Sequence, residues 1–258
     1  MNTTQTNYIS NPFKVIFAGF GNMFKYNQNL SIILLIASLF MSGGGSLSDA
    51  SGASSDSFNP SHEQVIIILI VVGVLLLALV PLIIFLSTMY YGIASYTALK
   101  TARHETTTFK EAWNTSLRKF WTILGINIIV GLKVLGGLLL FIIPGIRAML
   151  RYNMVHMFVF DENTGVKDSV GKSKELAKDH LIEIFGMTFA AGIIPIVGGL
   201  MQIGGQSVMY PQLRQLKSTP SQKPHVHWLN YLAFVIFSVI FGFIALLVVG
   251  LSIATSSR

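Results

Sequence analysis

The sequence predicts an all-α fold, a polytopic bundle of transmembrane helices, and three observations support this prediction. Hydrophobic residues make up 52% of the 258 residues and charged residues only 11%, whereas soluble domains carry about 25% charged residues. Long apolar runs alternate with short polar segments, and the mean hydropathy is +0.62. Lys and Arg concentrate in every second polar segment. We therefore expect one transmembrane domain over residues 1–258.

The apolar runs define the expected spans. They cover residues 30–41, 65–86, 120–143, 147–160, 181–194, 197–213 and 228–251. The run 65–86 is long enough to cross a hydrocarbon core of ~30 Å at a rise of ~1.5 Å per residue. The runs 30–41 and 181–194 are short for a full crossing, so the predicted count is six to seven spans.

The N-terminal segment 1–28 and the segment 42–64 flank the first short run. In the N-terminal segment, apolar side chains recur at helical spacing, which predicts an amphipathic helix: Phe13, Ile16, Phe17, Phe20 and Phe24. The run that follows also has features of a signal peptide, but we expect it to be retained as a span. The Gly/Ser-rich segment 42–64 contains no Lys or Arg and is predicted to be a flexible outer loop.

Three basic amphipathic segments each precede a pair of spans. They cover residues 13–28, 109–121 and 166–180. Breaks between spans are expected at Pro144-Gly145 and at Pro195. This pattern predicts three helical hairpins, each with a basic amphipathic helix in the membrane interface, plus one terminal helix. Basic inner flanks also occur in polytopic proteins without repeats, so this is one of two interpretations.

One stretch of the chain resembles a known family. The resemblance rests on Phe141-Ile-Ile-Pro-Gly-Ile146, Arg151-Tyr152, Asp161-Glu162-Asn163, Gly171-Lys-Ser-Lys-Glu-Leu176 and Met209-Tyr210-Pro211-Gln212. Over residues 105–215 the chain is similar to YciC-type bacterial integral membrane proteins and to the membrane domain of some glycerophosphodiester phosphodiesterases. The resemblance implies a helical protein of the bacterial cytoplasmic membrane. Because phosphodiesterase chemistry in that family belongs to a separate soluble domain, we expect no enzymatic activity.

Acidic residues, cysteines and histidines exclude several kinds of site. Only one of the 11 acidic residues, Glu183, lies near the start of a span, and proton relays and cation pathways usually need intramembrane acids. The chain has no Cys, and His225-x-His227 lacks further ligands for a metal. We therefore expect no metal, no cofactor and no nucleic-acid partner. Close helix packing is predicted at Gly198-Gly199, Gly204-Gly205, Gly186-x-x-x-Ala190 and Ser238-x-x-x-Gly242.

Three cations inside or beside the spans are the candidate site residues. Lys133 lies within the span 120–143, and Arg147 and Arg151 are four residues apart, on one helix face just after Pro144-Gly145. One interpretation is that these side chains extend to headgroups or to free carbonyl groups. The other is a binding site for an anion such as a lipid phosphate, for which Arg offers bidentate geometry.

The predicted function is therefore that of a non-enzymatic multi-pass membrane protein. We expect it to bind lipid, including anionic lipid, or a membrane protein partner. The alternative is a transporter of an anionic or amphipathic solute, with Lys133, Arg147 and Arg151 along its path. A polar cavity that reaches the midplane would favour transport.

The distribution of Lys and Arg predicts the orientation of the chain. Fourteen of the 18 fall in segments that would share the inner side: Lys14, Lys25, Lys100, Arg103, Lys110, Arg118, Lys119, Lys167, Lys172, Lys174, Lys178, Arg214, Lys217 and Lys223. The N-terminus is therefore expected in the cytoplasm, and seven spans would place the C-terminus outside.

Cysteine labelling tests this orientation, since the chain has no Cys of its own. In intact cells a membrane-impermeant thiol reagent should label Ser51→Cys and should not label Lys174→Cys, because the basic segments are predicted to be cytoplasmic. Labelling of Lys174→Cys alone would reverse the orientation.

Overall fold

A computed structural model describes residues 8–42, 62–218 and 225–256. These residues form eleven helices and no strand: α1 (Pro12–Tyr26), α2 (Gln28–Ser42), α3 (His62–Ala102), α4 (Phe109–Arg118), α5 (Phe120–Leu140), α6 (Ile142–Arg151), α7 (Val155–Asp161), α8 (Val166–Ala177), α9 (Leu181–Gly192), α10 (Gly198–Ser218) and α11 (Trp228–Ser256). The all-α prediction is confirmed. Nearly all of the predicted outer loop 42–64 lies outside the described residues, as does Lys223.

Three of the described helices are long and apolar enough to cross a membrane. They are α3, with 41 residues, α5, with 21, and the first 25 residues of α11, Trp228–Ser252. The apolar part of α2, Gln28–Phe40, and α9 are shorter. The predicted count of six to seven spans and their pairing into hairpins therefore remain predictions.

Helix α3 has two halves with different surroundings. From His62 to Ile84 every side chain is exposed, whereas most side chains from Thr88 to Thr101 are buried. The second half contains Gly, Ala, Ser and Thr at close spacing, and such small residues let neighbouring helices approach. The bundle therefore packs around the second half of α3, and the first half extends beyond it.

Helices α1 and α10 cross at two glycines. A Cβ atom on Gly204 would lie 2.9 Å from the backbone of Gly19, so the helices meet backbone to backbone. The face of α1 toward the core also contains Val15, Ile16 and Met23. This confirms the prediction that Gly204 permits close packing. Of the predicted aromatic stripe, Phe13 and Phe17 stay exposed.

The α5–α6 hairpin bends at Phe141. This residue has extended backbone (φ −162°, ψ 150°), while Pro144 lies in the first turn of α6, where a missing N–H costs little. A Cβ atom on Gly137 would lie 2.8 Å from Cα of Gly145, so the two helices are in close contact beside the bend. Pro195 lies in the turn between α9 and α10.

The predicted basic segments form helices α4 and α8. In α4 the small residues Ala112 and Ser116 are buried, and Ser116 packs against Gly92 of α3. In α8 the Ser173 hydroxyl donates a 2.9 Å hydrogen bond to the carbonyl of Arg151 at the end of α6. Both helices therefore pack on the bundle with one face. Their position in the membrane interface remains a prediction.

A matched pair of substitutions in α1 tests the α1–α10 crossing. Gly19→Ala should lower the melting temperature of the detergent-purified protein, because its Cβ would overlap the backbone of Gly204; overpacking costs about 1–3 kcal/mol. Gly21→Ala is the control, since a Cβ there meets no described atom within 4 Å, and it should stabilise the helix by up to about 1 kcal/mol. Equal shifts for both variants would contradict the crossing.

Candidate functional site

A cavity of about 470 Å³ lies between α6, α9 and α11. We call it the α6–α9–α11 groove. Its walls are apolar and include Ile146 and Leu150 of α6, Ile182 of α9, and Phe237 and Phe241 of α11. Among its lining residues, all of which belong to described helices, Arg147 is the one with a charge.

Aromatic packing holds two of the walls together. The ring of Phe185 on α9 lies 5.7 Å from that of Phe234 and 5.5 Å from that of Phe237, both on α11. Gly186 packs directly against Asn230, since a Cβ atom on Gly186 would overlap the Asn230 side chain. The prediction of close packing at Gly186 is thus confirmed. Gly242, also in the lining, has no described atom near its Cβ position.

The sequence of α6 explains why it supplies both apolar groups and cations. Ile142, Ile146 and Leu150 recur at helical spacing and line the groove. Arg147 and Arg151 recur at the same spacing, one residue further along. The Arg147 side chain is exposed in the groove lining, whereas Arg151 is half-buried.

The three predicted cations have different neighbours. The Lys133 ammonium lies 4.9 Å above the ring centre of Tyr152, the residue that follows Arg151. The Nε of Arg151 is buried and has no hydrogen-bond partner among the described residues. Within residues 8–42, 62–218 and 225–256, no carboxylate forms an ion pair with Lys133, Arg147 or Arg151. Arg147 and Arg151 thus lie on α6, and Lys133 of α5 contacts the ring of Tyr152 at the end of α6.

A second charged cluster, at the end of α7, was not predicted. The Asp161 carboxylate forms ion pairs with Arg103 and Arg214 and accepts a 2.7 Å hydrogen bond from the Tyr210 hydroxyl. Its neighbour Glu162 forms ion pairs with Arg214, at 3.1 Å, and with Lys172. The acidic pair amid basic segments was visible in the sequence, but its partners lie far apart along the chain.

This cluster connects helices and leaves little charge for chemistry. The Asp161 side chain is 8% exposed, and its acceptor sites face three donors from two other parts of the fold. Because the cations and carboxylates offset one another, we interpret the cluster as a structural contact between the ends of α3, α7 and α10.

The motif His225-x-His227, which was not expected to hold a metal, contacts the residue before α1. The Nε2 atom of His227 lies 3.5 Å from the Asn11 side-chain nitrogen. Within the described ranges, no group of three or more His, Asp or Glu side chains could hold a metal ion.

No protein-family model, curated protein or solved structure matches this chain. The fold itself defines the class: the part of the chain that the structure describes is all-helical and includes three helices long and apolar enough to cross a membrane, which indicates a membrane protein. The similarity to YciC-type proteins remains a prediction from the motifs.

Replacement of Asp161 tests the second cluster. Asp161→Asn removes the charge that Arg103 and Arg214 share and should destabilise the purified protein by about 1–3 kcal/mol, because Arg103 would lose its carboxylate partner and Arg214 would keep only Glu162. Asp179→Asn, in an exposed turn, is the control and should change the stability by no more than about 0.5 kcal/mol. Similar melting temperatures for the two variants would contradict the structural role.

Proposed function

We propose that this chain is a non-enzymatic multi-pass protein of the bacterial cytoplasmic membrane, and that it binds an anionic lipid in the α6–α9–α11 groove. The observation that carries the proposal is an apolar groove whose single charged lining residue, among the described helices, is Arg147. Such a groove matches an amphiphile with an apolar chain and a negative headgroup.

Charge is the main source of selectivity in this proposal. In a bilayer the acyl chains of every lipid already lie in an apolar solvent, so the groove gains little from the hydrophobic effect. Packing against Phe237 and Phe241 holds a chain in place but does not distinguish headgroups. Arg147 distinguishes them by net charge: its guanidinium group can bind the phosphate of any phospholipid, but the ammonium group of a zwitterionic headgroup would be repelled, whereas an anionic headgroup has no such group.

Arg151 strengthens the case for a phosphate. It lies one helical turn after Arg147 on α6, and its buried Nε has no hydrogen-bond partner among the described residues. A buried donor without a partner costs about 1–3 kcal/mol, more when the group is charged. A phosphate near both side chains would accept from this donor and offset two like charges.

The positions of the three cations favour binding over transport. A path for an anionic solute would be expected to place Lys133, Arg147 and Arg151 along one continuous cavity. Lys133 instead lies over Tyr152, while Arg147 lines the α6–α9–α11 groove. We therefore assign the lipid phosphate to Arg147 in the groove lining, with Arg151 one helical turn further along α6 as a second donor outside that lining, and leave Lys133 out of the site.

The double variant Arg147→Gln/Arg151→Gln tests the proposal. After extraction in a mild detergent, native mass spectrometry should find at least tenfold less anionic lipid on the variant than on the wild-type protein, because charge-assisted hydrogen bonds of about 1.5–3 kcal/mol are lost. Lys174→Gln, on the exposed face of α8, is the matched control and should retain the lipid.

Two outcomes would reject the site. If the double variant retains as much lipid as the control, the arginine side chains extend into the headgroup region but bind no specific lipid. If a protein replaces lipid as the retained species and depends on the same arginines, the groove binds a partner chain instead.

A further inference from the structure

The residues before α1 form hydrogen bonds with three polar side chains of the bundle. We call residues 8–11 the N-terminal strap. The Tyr8 hydroxyl donates a 3.4 Å hydrogen bond to Oε1 of Glu183 on α9, and the Ser10 carbonyl accepts a 2.8 Å bond from Nδ2 of Asn230 on α11. The backbone N–H of Ile9 donates to the Gln212 side chain of α10 at 3.2 Å.

Two oxygen atoms at this junction stay without a hydrogen-bond partner among the described residues. They are Oε2 of Glu183 and Oδ1 of Asn230, whose residues are only 2% and 0% exposed. The bond from Asn230 Nδ2 to Ser10 fixes which amide atom is the oxygen. Buried acceptors of this kind are rare, and a bound water or ion is a common explanation.

Both oxygens lie beside the same face of α9. Oδ1 of Asn230 is pressed against Gly186, where a Cβ would overlap it, and Gly186 follows Glu183 by three residues, about one helical turn. The Nδ1 atom of His180 lies 3.3 Å from Oε1 of Glu183, so it leaves Oε2 open. Burial, and then the neighbouring Glu183 carboxylate, raise the pKa of Tyr8, so its hydroxyl keeps its proton and donates to Oε1.

We infer that Glu183 and Asn230 form a binding site for a monovalent metal cation of the Na⁺ type, at the junction of the N-terminal strap with α9 and α11. Hard cations prefer carboxylate and amide oxygens as ligands. A single carboxylate matches one positive charge, whereas a divalent ion would leave a buried excess charge, which is costly. This site is separate from the α6–α9–α11 groove and does not depend on lipid binding.

The cation would stabilise the contact between the N-terminal strap and the bundle. Glu183 and Asn230 each hold the strap with one polar atom and offer the other to the ion. Occupancy would therefore give both buried acceptors a partner and favour the strap in its bound position.

Sodium binding to the detergent-purified full-length protein tests the inference. Radioactive ²²Na⁺ should bind saturably, at about one ion per chain. Above the dissociation constant, a tenfold rise in NaCl should raise the melting temperature by roughly 3 to 5 °C. Choline chloride keeps the ionic strength constant, so that screening does not change.

Glu183→Gln should abolish both the sodium binding and the sodium-dependent shift, because it removes the charge but keeps the shape. Glu175→Gln, exposed on α8, is the matched control and should retain both. Absence of saturable binding to the wild-type protein, or an equal shift in choline chloride, would overturn the site. Sodium binding that persists in Glu183→Gln would do the same. If Glu183→Gln does not fold, the wild-type binding and choline comparison still decide.

The outcome is independent of the lipid proposal. The variants of Arg147 and Arg151 should bind ²²Na⁺ like the wild-type protein, because neither arginine contacts the junction. Loss of sodium binding in those variants would therefore contradict the separate location of the two sites.

Discussion

One buried carboxylate connects the ends of three helices. The Asp161 side chain at the end of α7 forms ion pairs with Arg103, just beyond α3, and with Arg214 of α10, and it also accepts a hydrogen bond from Tyr210. A carboxylate has about four lone-pair sites, which is enough for all three donors. Without this acid, Arg103 would lose its carboxylate partner, and Arg214 would keep only Glu162. The position of α7, and of α6 before it, therefore depends on Asp161.

Close contacts at small residues also hold the short helices together. Helices of 10 to 15 residues, such as α1 and α9, have little stability alone and must gain it from packing. Gly19 and Gly204 let α1 and α10 meet at their backbones, and Gly186 makes room for Asn230 of α11. The short helices thereby form a compact bundle.

The long apolar helices leave this bundle, and their departure creates the groove. Helix α11 packs on α9 near Asn230 and Phe234, but near Gly242 no described atom fills the Cβ position. Helix α6 lies beside α9 and α11 but does not fill the space between them, which leaves an apolar cavity beside Arg147. In water such a surface would favour aggregation, whereas in a bilayer lipid chains cover it. The space left between α6, α9 and α11 could therefore hold one ordered lipid.

The sequence by itself determined the elements of the fold. Apolar runs and small-residue patterns predicted the helices, the turn at Pro195 and the close contact at Gly204, because helix formation and helix breaks depend on local periodicity and backbone geometry. It also marked Arg147 and Arg151 as unusual, since charges within apolar runs are costly.

Only the tertiary structure decided which of these elements meet. The face of α1 that enters the core contains Gly19 and Ile16, whereas Phe13 and Phe17, from the same predicted apolar stripe as Ile16, are exposed. The partners of Asp161 lie 58 and 53 residues away, and no local pattern connects such distant positions. Charge and hydrophobicity are properties of single residues, but a groove or an ion pair exists only once helices distant in sequence have packed together.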